Sequence, residues 1–150
     1  MLSKKFFLCV FFLSLGAVYA SCSLSETSFQ GSLSTAATDE DGFPTVLATS
    51  DDSLFEVFVS CDDLTNALFR VQSPIPMNDK VPIIKPSPYS FFEYRGKRYR
   101  DNQTVMIKSG TEKQLIRVGI SVGDRKKVLP ASTNYRYTIS LDLIMNQAGP

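Results

Sequence analysis

Three cysteines, a knot of arginines and lysines among tyrosines, and several paired carboxylates are the residues of this 150-residue chain whose types could do chemistry. Histidine and tryptophan are absent. Without imidazole, neither the Ser-His-Asp nor the Cys-His nucleophile system can be assembled. Zinc sites that need a His ligand go with them. The pairs Asp51-Asp52 and Asp62-Asp63 flank one apolar segment, which places them at its two ends. Asp39-Glu40-Asp41-Gly42 lacks the alternate spacing and the terminal Glu of a calcium loop. Nothing fixes two carboxylates at the separation a glycosidase needs. These acids are expected in solvated turns. The chain is expected to be no enzyme and to hold no cofactor and no metal.

The densest basic aromatic cluster is Tyr94, Arg95, Lys97, Arg98, Tyr99 and Arg100. Cations interleaved with aromatics can hold single-stranded nucleic acid or an anionic glycan. The six residues form a candidate interaction patch. The blander reading is a hairpin with one solvated, charged face.

Positioning these groups begins with an address. Lys4 and Lys5 precede an apolar run over 6–15, and Gly16-Ala17-Val18-Tyr19-Ala20 follows it. Val18 and Ala20 then stand at the two positions where a signal peptidase wants small residues. That layout is a secretory signal peptide, residues 1–20, cut after Ala20. A cut before Cys22, giving a lipid-modified N-terminus, is the rival, and bulky Tyr19 argues against it. The apolar run is shorter than the ~20 residues of a membrane span, and no later segment is long enough. A secreted, periplasmic or cell-surface location follows, which disfavours a nucleic-acid partner.

Cys9 leaves with the signal, so Cys22 and Cys61 remain. An even count in an exported chain favours a disulfide. A loop of this length corresponds to roughly 4 kcal/mol in the chain-entropy account. No C-x-x-C motif marks a redox pair. Charge is split along the mature chain. Residues 21–79 hold ten acids and one base, Arg70, whereas 80–150 hold five acids and thirteen bases. Segregation of the two signs to different surfaces would favour head-to-tail self-association.

The elements that carry these residues are strands. Residues 54–61 put Phe55, Val57, Val59 and Cys61 on one face by the two-residue period. Residues 67–71 alternate likewise. A weak first strand at 24–29, a polar connection and another strand at 45–48 precede them. Five prolines in 72–88 make that stretch an extended crossover. Residues 89–100 read as a hairpin turning at Arg95-Gly96-Lys97. Strands at 104–108 and 113–122 follow. Residues 135–143 alternate without a fault, with Tyr135, Tyr137, Ile139, Leu141 and Leu143 on one side. No segment sustains a helical period. The expectation is one all-β domain over 21–150: an immunoglobulin-like antiparallel β-sandwich of about seven strands with one disulfide.

The order of motifs resembles a family. Cys22 lies near the mature N-terminus, Phe55-Glu56-Val57-Phe58-Val59-Ser60-Cys61 is a strand ending in the second Cys, and Leu129-Pro130-Ala131 introduces the last strand at Tyr135. This is similar to the spore coat protein U domain and to related secreted proteins, including subunits of archaic chaperone–usher pili. Ser132-Thr133-Asn134 stands where the family tends to have Gly. Only Ser21 precedes Cys22, so no N-terminal donor strand is expected. The resemblance implies an exported, non-enzymatic surface, adhesion or pilus-assembly component, whose partners are other surface or pilus proteins or further copies of itself. The alternative is a soluble carbohydrate- or protein-binding, inhibitor-like module, with a glycan as candidate ligand.

Overall fold

The computed structural model describes residues 21–25 and 31–147. The expected signal peptide lies outside the described residues, as do residues 26–29 of the weak first strand. The strands are β1 (Cys22–Leu24), β2 (Leu33–Thr38), β3 (Pro44–Thr49), β4 (Phe55–Cys61), β5 (Thr65–Val71), β6 (Ile75–Pro76), β7 (Tyr89–Tyr94), β8 (Lys97–Arg100), β9 (Thr104–Ile107), β10 (Gln114–Val122), β11 (Tyr137–Thr138) and β12 (Leu141–Gln147). Seven of these run six residues or more: β2, β3, β4, β5, β7, β10 and β12.

Alternating side chains build two main sheets around one core, with β11 and β6 forming a separate two-stranded sheet. The larger sheet orders β1-β4-β10, with β7 and then β8 on the far side of β10, and β3-β2 continuing from its C-terminal end. The smaller sheet orders β12-β5-β9. All pairings are antiparallel. Val57, Val59, Ile116, Val118 and Phe92 of the larger sheet meet Ala67, Phe69, Val71, Val105 and Ile107 of the smaller. Phe69 and Phe92 contact edge to face across the two layers, with ring centroids 5.1 Å apart. A second cluster of Ile84, Val122 and Leu129, with Leu47 and Tyr137, ties down the crossover.

The order β1-β4-β10-β7 reproduces the A-B-E-D sheet of an immunoglobulin fold, and β5 beside β12 reproduces its C and F strands. The hairpin of β2 and β3 is an insertion between A and B. Cys22 and Cys61 are directly opposite in the β1–β4 ladder and are joined by a disulfide, with both residues buried. The bond therefore fastens the edge strand to its neighbour within one sheet.

Two expectations need correction. Residues 33–38 form strand β2 where the composition suggests a polar connection, because a sheet-edge strand with both faces wet has no apolar alternation to show. Residues 135–143 are not one strand. β11 pairs β6, β12 pairs β5, and residues 139–140 lie in neither strand. The cause lies on the strand opposite. The register is Leu141↔Val71 but Thr138↔Ile75, so Ser73 and Pro74 together oppose Ile139. Proline offers no ladder donor, and the extra residue is a bulge.

The split charge is partly cancelled in place. Arg70–Asp142, Arg98–Asp51 and Arg117–Glu56 join the acidic half to the basic half at 2.7, 3.8 and 3.9 Å.

Cys61→Ser is expected to lower stability by about 2–5 kcal/mol, measured by urea unfolding of the oxidised parent and the variant. Native protein is expected to react with no thiol reagent at either cysteine.

Two glycines give a second expectation. A Cβ on Gly119 would sit 2.5 Å from Phe91 Cζ and 2.7 Å from Leu54 Cδ2. Gly119→Ala should cost about 1–3 kcal/mol through overpacking. Gly123 has φ +92° and its Cβ would collide with the Thr45 carbonyl, which is backbone and cannot swing away. Gly123→Ala is expected to cost more than Gly119→Ala in the same unfolding measurement.

Candidate functional site

The sequence directs attention to the β7–β8 hairpin. Arg95 and Gly96 both have positive φ, 51° and 74°, the paired left-handed conformation of a two-residue hairpin turn. Alternation then sorts the side chains. On β7, Ser90, Phe92 and Tyr94 are buried toward the core, while Tyr89, Phe91 and Glu93 lie on the outer face. On β8, Tyr99 faces inward and stacks on Phe92 at 5.0 Å. Lys97 shares that side, its Nζ 5.2 Å from the Tyr99 ring. Arg98 and Arg100 face outward, with guanidinium carbons 4.1 Å from the Phe91 ring and 4.0 Å from the Tyr89 ring. Arg95 sits at the turn, 5.2 Å from the Tyr94 ring.

The six residues of the sequence patch therefore do not form one surface. Tyr94 and Tyr99 serve the core side, Arg95 and Lys97 ring the hairpin tip, and Arg98 with Arg100 form a separate outer pair. The aromatic shelf beneath that pair, Tyr89 and Phe91, is missing from the sequence patch. Period-two alternation from Phe92 would have found it.

The outer pair belongs to a network. Arg98 donates to Glu93 Oε1 from Nη2 at 2.5 Å and from Nε at 3.2 Å. Arg117 Nη2 donates to the Asp51 carbonyl at 2.8 Å, and its guanidinium lies 4.0 Å from Glu93. Exposed pairs of this kind are worth about 0–1 kcal/mol each. Their consequence here is orientation.

A second surface is the free edge of the smaller sheet. Gln72 N–H donates to the Ser140 carbonyl, and the β12–β5 ladder continues in the same register. Even-numbered residues of β12 thus bond to β5. The backbone groups of Leu141, Leu143 and Met145 point the other way, where no described strand pairs with them. Asp142 holds β12 in place. Its carboxylate accepts from Gln72 Nε2 at 2.9 and 3.0 Å and from Arg70 Nε at 2.7 Å. The hydrogen bonds from Gln72 and Arg70 keep the Asp142 carboxyl below the ordinary carboxylate value of 3.8.

The acidic pairs occupy structural positions. Asp51 and Asp52 start a one-turn 3-10 helix, Asp51–Ser53. Asp62 Oδ2 accepts from Ser21 N–H at 2.5 Å and Asp62 Oδ1 from Leu64 N–H at 2.9 Å. Among the described residues no group of three or more His, Cys, Asp or Glu is gathered to hold a metal ion. No helix of the described residues is long and apolar enough to cross a membrane.

A depressed carboxyl contributes stability above its unfolded pKa and loses it as pH falls through the folded value. Asp142→Asn is therefore expected to lower stability at pH 7 by about 0.5–1.5 kcal/mol. The gap between parent and variant should close as pH drops below 3.8. Urea unfolding at a series of pH values checks the sign.

No protein-family model matches this chain, and no curated protein matches it either.

Proposed function

We propose that this protein is an exported, non-enzymatic surface or assembly component that joins its partners by β-strand addition at β12. The observation that carries the reading is a contrast among edges. An exposed strand edge templates pairing with another chain, and proteins blunt the edges they do not use. β8 is four residues long and carries Lys97, Arg98 and Arg100. β2 is broken by register shifts between Thr35 and Thr38. β1 has three residues and β9 four. β12 has seven residues in unbroken register. Its one charge, Asp142, is engaged by β5, and Ile144 and Met145 are 42% and 49% exposed.

In an immunoglobulin sandwich the position beside F belongs to strand G. Among the described residues nothing fills it. The occupant proposed here is an extended segment of a second copy, bonded to Leu141, Leu143 and Met145 and filling the space beside the core. The order of motifs resembles that of archaic pilus subunits, and since no N-terminal donor strand is expected here, the added segment would come from elsewhere in the partner.

Met145→Pro removes an outward donor without breaking a bond to β5, and Ile144→Lys places a charge beside the edge. Concentrated parent protein is expected to form oligomers by light scattering. In them the amides of Leu141, Leu143 and Met145 should become protected from exchange, and both variants should remain monomeric. Oligomers that persist in both variants with those amides still exchanging, or a parent that stays monomeric at high concentration, would overturn the reading.

A further inference from the structure

We propose that the outer face of the larger sheet carries a binding groove for an acidic saccharide, recognised by Arg98, Arg100 and Arg125. The groove encloses about 460 Å³, within the range of small-ligand sites. It does not depend on the edge-strand reading, since β12 belongs to the other sheet.

The floor comes from small side chains. Ala48 and Ser121 are partners in the β3–β10 ladder and face outward together, with Val46 two residues along. Small residues there leave a depression where longer ones would fill it. Tyr89, opposite Ser121 in the β7–β10 ladder, continues the floor toward β8. Arg98 and Arg100 of β8 form one wall, and Arg125, from the loop after β10, also lines the groove.

The wall is organised before a ligand arrives. Each guanidinium lies on an aromatic ring, Arg98 over Phe91 and Arg100 over Tyr89. This cation–π attraction uses none of the ion's hydrogen-bond donors. A guanidinium carries five N–H donors in its plane. Arg98 spends two of them on Glu93, so its role is partly to set the wall. Arg100 has Asp101 near its Nε, at 3.9 Å, beyond hydrogen-bond distance. Arg125 is exposed and has φ +71°, a left-handed conformation that a long side chain rarely adopts. The neighbouring Gly123, locked by the Thr45 carbonyl, delivers the chain to that position.

Asp124 is the groove's one carboxylate, and its Oδ1 accepts from Lys126 N–H at 3.0 Å. Arg98 is matched by Glu93 and has Asp51 3.8 Å away, so the groove's cationic character rests on the fork of Arg100, whose nearest carboxylate stands at 3.9 Å, and on Arg125. Guanidinium forks match carboxylate and sulfate, while Ser87, Ser121 and the Tyr89 phenol offer hydroxyls to a polyhydroxylated ring. That combination selects an acidic sugar over a bare anion or an apolar ligand.

The test is calorimetric titration of the exported protein with a uronic-acid disaccharide, its neutral counterpart, inorganic sulfate and a hexaglutamate peptide. Saturable binding of the acidic disaccharide alone is expected. Arg100→Gln and Arg125→Gln should each weaken it about tenfold, whereas Arg95→Ala, at the hairpin tip and outside the groove, should leave it unchanged. Arg125 is exposed, so its variant is expected to unfold with the parent's midpoint, which separates lost binding from lost folding. No saturable binding of the acidic disaccharide, equal binding of sulfate or the peptide, or binding indifferent to Arg125→Gln would overturn the proposal.

Discussion

β10 is the strand on which the sandwich depends. Among the described strands it alone is hydrogen-bonded to three others, β3, β4 and β7. Its inner face must be covered by the second sheet, or its apolar side chains would stay wet. Ile116, Val118, Ile120 and Val122 meet that demand inside. Outside, Gly119 lets Phe91 and Leu54 lie directly on the backbone. Phe91 is thereby buried on the outer face, where it forms the shelf on which Arg98 rests. One absent side chain in the central strand thus sets the level of the surface above it.

Much of the architecture was legible because it rests on local alternation. Val57-Val59-Cys61, Ala67-Phe69-Val71 and Ile116-Val118-Ile120 are each buried as the period predicts. The turn at Arg95-Gly96 was legible from the flexible glycine. The disulfide was legible from cysteine arithmetic alone, although its place within one sheet was not. Pairing partners are set by residues far away in the chain, and strand order needs the whole topology.

The failures have the same origin. Residues 135–143 alternate perfectly because alternation belongs to the strand itself, whereas the break in their pairing comes from Pro74, more than sixty residues earlier. β2 escapes a sequence reading because an edge strand with two wet faces imposes no pattern on Leu33–Thr38. The basic patch is a run in sequence and divides in space, since neighbours along a strand face opposite ways. Arg125 enters the groove through a left-handed loop residue, for which the sequence offers only the preceding Gly123-Asp124 turn signal.

The two proposed surfaces differ in how firmly they are built. The groove stands on β10 and β7, strands held on both edges, and its arginines on β8 are fixed by rings and carboxylates. Little ordering remains to be done when a ligand enters, so preorganisation favours affinity for something small. β12 is an edge strand whose outward backbone groups pair with no described strand, held by its ladder to β5, by Asp142 and by the Cys22 N–H that donates to Met145 Sδ at 3.2 Å. Local opening is easiest at such margins. A strand added there would satisfy the free donors and acceptors, cover Met145 and order the margin in one step. Rigidity suits recognition of a small ligand, and an unfinished edge suits assembly. Because they lie on different sheets, occupying one leaves the other accessible.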